Sequence, residues 1–112
     1  MFAMLMGLKS ISPKELHARM QHDAPIVIDV NAQQSWLRAR VPGAIHLAVE
    51  FDAAALPPDL ATSLVFYCSN PMCRKAPGAA RRAKKLGYTD VRVMSAGITG
   101  WTEAQLPVAS GA

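Results

Sequence analysis

Apolar positions in this chain fall into two patterns, short continuous runs and stripes spaced three or four residues apart, with turn-forming residues between them. Pro25-Ile26-Val27-Ile28-Asp29-Val30 is a continuous β-branched run. A strand apolar on both faces belongs in the middle of a parallel sheet. Leu64-Val65-Phe66-Tyr67 is a second such run and stops at Cys68, while Ala44 to Leu47 and Val91 to Met94 supply shorter ones. Helical signals lie between them. Ser12-Pro13-Lys14-Glu15 carries a hydroxyl cap, a proline at the first helical position and a glutamate three residues after the cap, which predicts a helix from Pro13 to about Met20. Gln33 to Arg40 reads as the next helix, closed by Val41-Pro42-Gly43, and Leu56-Pro57-Pro58 breaks the chain further on. Ser69 to Arg74 reads as loop. Ala76, Ala79, Ala80, Ala83 and Leu86 then share one helical stripe with cations opposite; Pro77 fits only the first turn, and Gly87 closes the helix. Ile98 to Ala104 predicts a last short helix before Leu106-Pro107.

Strands alternating with helices predict an α/β fold: a single domain with a mainly parallel central sheet flanked by helices on both faces. Ligands in such sheets bind outside the carboxyl ends of the strands. Cys68 occupies such a position.

Composition agrees with one packed domain, since 112 residues with 51% hydrophobic and 18% charged positions match an ordinary globular protein. No apolar stretch reaches the roughly 18 residues that cross a bilayer. Met1 to Leu8 is apolar but lacks a basic start and a small-residue cleavage site, and Lys9 follows at once. A soluble, cytoplasmic protein with no membrane partner is the expectation. Two cysteines, Cys68 and Cys73, cannot frame a secreted mini-protein, and a reducing compartment keeps them as thiols available for chemistry.

The formal charge of +4 is unevenly spread. Arg74, Lys75, Arg81, Arg82, Lys84 and Lys85 supply six of the twelve cations, and no acid lies between Asp59 and Asp90. This stretch suits either an anionic partner or a solvated helix face. No aromatic residue interleaves these cations, so a nucleic-acid partner is not expected.

Cys68 is the candidate chemical centre. The chain passes from a strand through Ser69 to Arg74 into a helix, so the N–H groups of Ser69, Asn70, Met72, Cys73 and Arg74 can gather around one point, backed by the positive end of the helix dipole. Such a nest lowers a thiol's pKa below the free value of about 8.5 and stabilises the thiolate. Arg74 adds a permanent charge whose planar fork fits two oxygens of a bound oxyanion. A free cysteine at a strand end is also what a small buried hydrophobe looks like. The strand, cysteine, arginine-bearing loop and basic helix together favour the nucleophile.

From Leu8 to Val108 the chain resembles the rhodanese-like domains. Four segments carry the resemblance: Asp29-Val30 with Trp36 and Val41-Pro42-Gly43-Ala44-Ile45-His46-Leu47; Tyr67-Cys68; Leu86-Gly87-Tyr88 with Val91-Arg92-Val93-Met94; and Gly97-Ile98-Thr99-Gly100-Trp101 with Leu106-Pro107-Val108. It implies an N-terminal tip at 1–7, the domain at 8–108 and a tail at 109–112. The implied enzyme is a sulfurtransferase in which Cys68 takes a sulfane sulfur from a donor such as thiosulfate, becomes a persulfide, and passes the sulfur to a thiol, cyanide or protein acceptor. No metal or organic cofactor is implied. Ser69, Asn70, Met72, Cys73 and Arg74 become the substrate cradle, with Asp29, Trp36 and Arg40 on the pocket wall; Trp101 reads as core or wall.

Several positions depart from the family pattern. Cys68 and Arg74 enclose five residues where the sulfurtransferase loop often has four, and the loop lacks glycine. That spacing is shared with cysteine-dependent phosphatases and arsenate reductases of this fold, which is the alternative reading. Against it, the loop offers no general acid, and the nearest acids are Asp59 and Asp90. Asn31 stands where the family has Arg, Ser35 where it has Glu and Arg40 where it has His; the first two together remove a structural ion pair. A further alternative is a non-catalytic module that binds a protein through the basic face, against which both Cys68 and Arg74 are retained. Cys73 is an inert small residue, a resolving thiol that acts as redox partner of Cys68, or, least favoured, a zinc ligand. His17 and His22 read as surface residues and His46 as structural. Met1, Met4 and Met6 read as a disordered tip or a partner-binding edge.

Overall fold

A computed structural model describes residues 7–112; Met1, Met4 and Met6 lie outside the described residues. Five strands form one parallel sheet: β1 (Lys9–Ser10), β2 (Ile26–Asp29), β3 (Ile45–His46), β4 (Leu64–Tyr67) and β5 (Val91–Val93), in the order β1-β5-β4-β2-β3. Four helices connect them: α1 (Pro13–Arg19), α2 (Gln33–Arg38), α3 (Lys75–Lys85) and α4 (Gly97–Glu103). The expected α/β class with a parallel sheet is the one observed. Ser12 and Glu15 form the capping box that starts α1, each side chain accepting from the other's backbone N–H at 3.1 Å. The two-residue β1 and a 3-10 turn at Ala53–Ala55 were not expected, being too short to leave a period in the sequence.

Side chains alternate across the sheet and build two cores. On one side Ile28, Val30, Leu64, Phe66 and Cys68 pack beneath Ala76, Ala79, Ala80 and Ala83 of α3. Small alanine side chains let that helix lie close to the strands. Leu86, expected on the same stripe, is exposed, because α3 stops at Lys85 and the chain turns away at Gly87, whose φ is +110°. On the other side Val27, Val65 and Tyr67 meet Leu16 of α1 and Trp101 of α4. Trp101 is fully buried and donates its indole N–H to the Pro107 carbonyl at 2.6 Å. His17, expected at the surface, is half-buried with its ring edge-on to Trp101 at 5.8 Å. The segment 109–112, expected as a tail, is tied to the domain: Arg40 and Ala109 exchange backbone hydrogen bonds at 2.9 Å, and the Gly111 N–H donates to Leu37 at 2.8 Å.

Tyr67 links this core to the chemistry above it. Its hydroxyl is buried and accepts the Val41 N–H at 3.0 Å. Burial, with the neighbouring Asp29 carboxylate, pushes the phenol well above its ordinary 10.0, so the folded protein holds that proton more tightly than the unfolded chain. Stability from this group is therefore complete below about pH 10 and falls as pH rises above it. Tyr67→Phe should flatten the alkaline limb of a urea-midpoint profile while costing about 1–3 kcal/mol at neutral pH, because the Val41 amide loses its acceptor. An unchanged alkaline limb contradicts the assignment.

Candidate active site

The sheet order reverses between β2 and β4: β3 lies outward of β2, and β5 lies outward of β4 on the opposite side. Their carboxyl ends form the switch point of an open α/β sheet, the place where ligands bind in this class of fold. β2 delivers Asp29 and Asn31 there, and β4 delivers Cys68 and Ser69.

The start of α4 holds the loop from below. The Ile98 N–H donates to the Cys68 carbonyl and the Thr99 N–H to the Ser69 carbonyl, both at 3.0 Å. In a trans peptide the C=O and the following N–H point in opposite directions, so the Ser69 and Asn70 amides are turned away from α4. Neither has a hydrogen-bond acceptor among the described residues. Gly97 makes this approach possible. Its φ is +68°, and a Cβ there would stand 2.5 Å from the Ser69 carbonyl.

Asn70 shapes the rest of the loop. Its side-chain carbonyl accepts the Met72 N–H at 2.9 Å, and its backbone carbonyl accepts the Cys73 N–H at 3.0 Å. An Asn-Pro pair favours such a turn, with Pro71 fixing the next φ. Two of the five amides expected to face the sulfur are thus used inside the loop, which corrects the expected donor set. Met72 is 86% exposed at the tip.

The same turn brings Cys73 back to Cys68. Five residues of extended chain would span roughly 17 Å, yet the two Cα atoms are 6.4 Å apart and the sulfurs are joined as a disulfide. The expectation of two free thiols is corrected here, and so is the reading of Cys73 as an inert side chain. Cys68 is buried, whereas Cys73 is half-buried. Arg74, exposed, is the N-cap residue of α3 at the positive end of that helix.

Asn31 joins the two strand ends, a role the sequence reading missed. Its side-chain carbonyl accepts the Ser69 hydroxyl at 2.7 Å, its backbone carbonyl lies 2.7 Å from His46 Nε2, and its N–H donates to Asp29 Oδ1 at 2.8 Å. Two polar residues closing an otherwise apolar strand at the switch point were the available signal. Asp29 is fully buried. Trp36 stacks on His46 at 4.9 Å, and the Arg40 guanidinium lies 4.3 Å from the Trp36 ring centre. Arg40 also donates to the Trp36 and Gly111 carbonyls, so its head group braces α2 against the C-terminal segment. On α3, Gly78, Arg81, Arg82 and Lys85 line an open groove of about 560 Å³. Arg82 is partly committed, donating to the Phe51 carbonyl at 2.8 Å.

Fold and loop together define an open parallel α/β domain with a cysteine loop at its switch point. The family model of the rhodanese-like domain matches residues 12–104, and the chain belongs to that family. It is 31% identical over 108 residues to an HTH-type transcriptional regulator of Mycobacterium tuberculosis, the match covering 92% of this chain and 46% of the relative. The chain thus spans less than half of that curated relative. Among solved structures, the BH2092 protein of Bacillus halodurans superposes with a TM-score of 0.84 at 20% identity, covering 97% of this chain and 82% of that one. Thiosulfate sulfurtransferase of Pseudomonas aeruginosa gives 0.82 at 20% identity, covering 98% of this chain and 22% of that one. Among the described residues no helix is long and apolar enough to cross a membrane.

Proposed function

We propose that the chain is a thiosulfate-type sulfurtransferase in which reduced Cys68 carries the sulfur. The carrying observation is the pair of Ser69 and Asn70 amides turned away from α4 in the loop that Cys68 opens, with the start of α3 beyond. Amides and helix end favour negative charge on that sulfur, first as thiolate and then as persulfide anion. The Cys68 thiolate attacks the outer sulfur of thiosulfate, the S–S bond of the donor breaks, and sulfite leaves with the electron pair. A thiol or cyanide then takes the terminal sulfur and returns the thiolate. Arg74, at the mouth of the loop, is the residue suited to the donor's oxygens. In the disulfide Cys68 cannot attack, so the reaction begins from the reduced protein.

The test is turnover by reduced protein of thiosulfate with cyanide, followed by sulfite release, beside hydrolysis of an aryl phosphate and reduction of arsenate. Sulfite release alone supports the reading. Phosphate hydrolysis or arsenate reduction without sulfite transfers the assignment to the oxyanion-cleaving alternative, and inactivity towards all three favours a binding module.

A further inference from the structure

Cys73 meets Cys68 sulfur to sulfur, on a loop whose turn is built by its own residues. The Asn70 carbonyl and side chain hold the amides of Cys73 and Met72, and Pro71 stiffens the reversal. The turn closes within the loop while α4 and Asn31 hold its base, so in the reduced protein the two thiols stay a short approach apart. The disulfide shows where that approach ends: at Sγ of Cys68 itself. Cys73 is half-buried, so a reductant reaches this edge of the pair more readily than it reaches Cys68, which is 3% exposed.

We propose that Cys73 resolves the Cys68 persulfide, making the domain a sulfide-releasing enzyme that takes its electrons from a dithiol. This rests on the sulfurtransferase reading above. The Cys73 sulfur attacks Sγ of Cys68; the Cys68–Cys73 bond forms, the bond from Cys68 to its terminal sulfur breaks, and that sulfur leaves as hydrosulfide with the proton from Cys73. The sulfane sulfur is reduced to sulfide while the two cysteines are oxidised to the disulfide. An external dithiol then exchanges with the disulfide, is itself oxidised, and restores both thiols. Displacement at divalent sulfur is in line, so the leaving sulfur departs on the side of Cys68 opposite Cys73. A monothiol or cyanide acceptor that attacks the terminal sulfur competes with this step, and Cys73 thereby decides whether sulfur is passed on or released.

The experiment is a single turnover without added acceptor. Protein is reduced, freed of reductant without air, and mixed with thiosulfate; sulfite, hydrosulfide and intact mass are followed for wild type, Cys73→Ser and Cys73→Ala. Wild type is expected to release sulfite and hydrosulfide in near-equal amounts, about one of each per chain, and to end lighter by two hydrogens. Both variants should release the sulfite, lose the hydrosulfide and keep one extra sulfur on Cys68. Wild type that releases sulfite yet retains the extra sulfur overturns the proposal and leaves the transferase reading standing. Absence of sulfite from wild type and variants alike overturns both. Hydrosulfide release by the variants equal to wild type also overturns the role of Cys73.

Discussion

Gly97→Ala is expected to lower stability by roughly 3 kcal/mol and to cut sulfur transfer further than the loss of folded protein explains. Two costs add. A non-glycine residue at a φ of +68° costs about 1 kcal/mol. The new methyl would also sit 2.5 Å from the Ser69 carbonyl carbon and oxygen and 2.6 Å from the Asn70 nitrogen, which are backbone atoms with no rotamer to yield. The loop must lift, and the Ile98 and Thr99 amides then lose the Cys68 and Ser69 carbonyls, at about 1 kcal/mol each. Their release frees the Ser69 and Asn70 amides to swing, so the site suffers with the fold. Gly78→Ala is the control: a Cβ there meets nothing within 4 Å, and alanine is the better helix former, so stability should hold or rise by up to about 1 kcal/mol. Urea midpoints of the two variants check both. Equal midpoints contradict the packing account.

Cys68→Ser is expected to lower sulfite release from thiosulfate by roughly a thousandfold or more, since removing a nucleophile abolishes the covalent route and leaves only weak assistance by the surrounding donors. The change removes little volume from a buried position beneath α3, so folding should survive it. Near-UV circular dichroism separates a lost reaction from a lost fold. Residual turnover within tenfold of wild type contradicts the assignment of Cys68. A uniform loss for Cys73→Ser with cyanide as acceptor would likewise show that the two cysteines are not divided between transfer and release.

How far the chain could be read before its structure depended on how local each signal was. Leu64–Tyr67 emerges with the bounds its apolar run gives, and the Ser12–Glu15 capping box starts α1 where the cap predicts. Both are decided by neighbouring residues. Leu86 was misread because the stripe of alanines continues in register while the helix does not; the turn at Gly87 ends it first. At the site, the loop beginning at Cys68 is legible from the strand-to-helix junction. What was not legible are contacts between distant segments. Asn31 and Ser69 are 38 positions apart, and neither carries a motif that names the other. Gly97 was visible as a family mark, but its reason, room for the Ser69 peptide, exists only once α4 lies under the loop. The donor set was overcounted for the opposite cause: Asn70-Pro71 forms its own turn, and local bonding takes the Met72 and Cys73 amides before any ligand can.

The most direct test is the pH dependence of Cys68 alkylation by iodoacetamide, in Cys73→Ser protein so that one thiol reacts. If the Ser69 and Asn70 amides, turned away from α4, and the adjoining helix end hold charge on this sulfur as proposed, the midpoint falls at least about one unit below the 8.5 or so of a free thiol. A midpoint at or above about 8.5 would mean that the loop does not hold charge on this sulfur, and the mechanism built on it would be wrong.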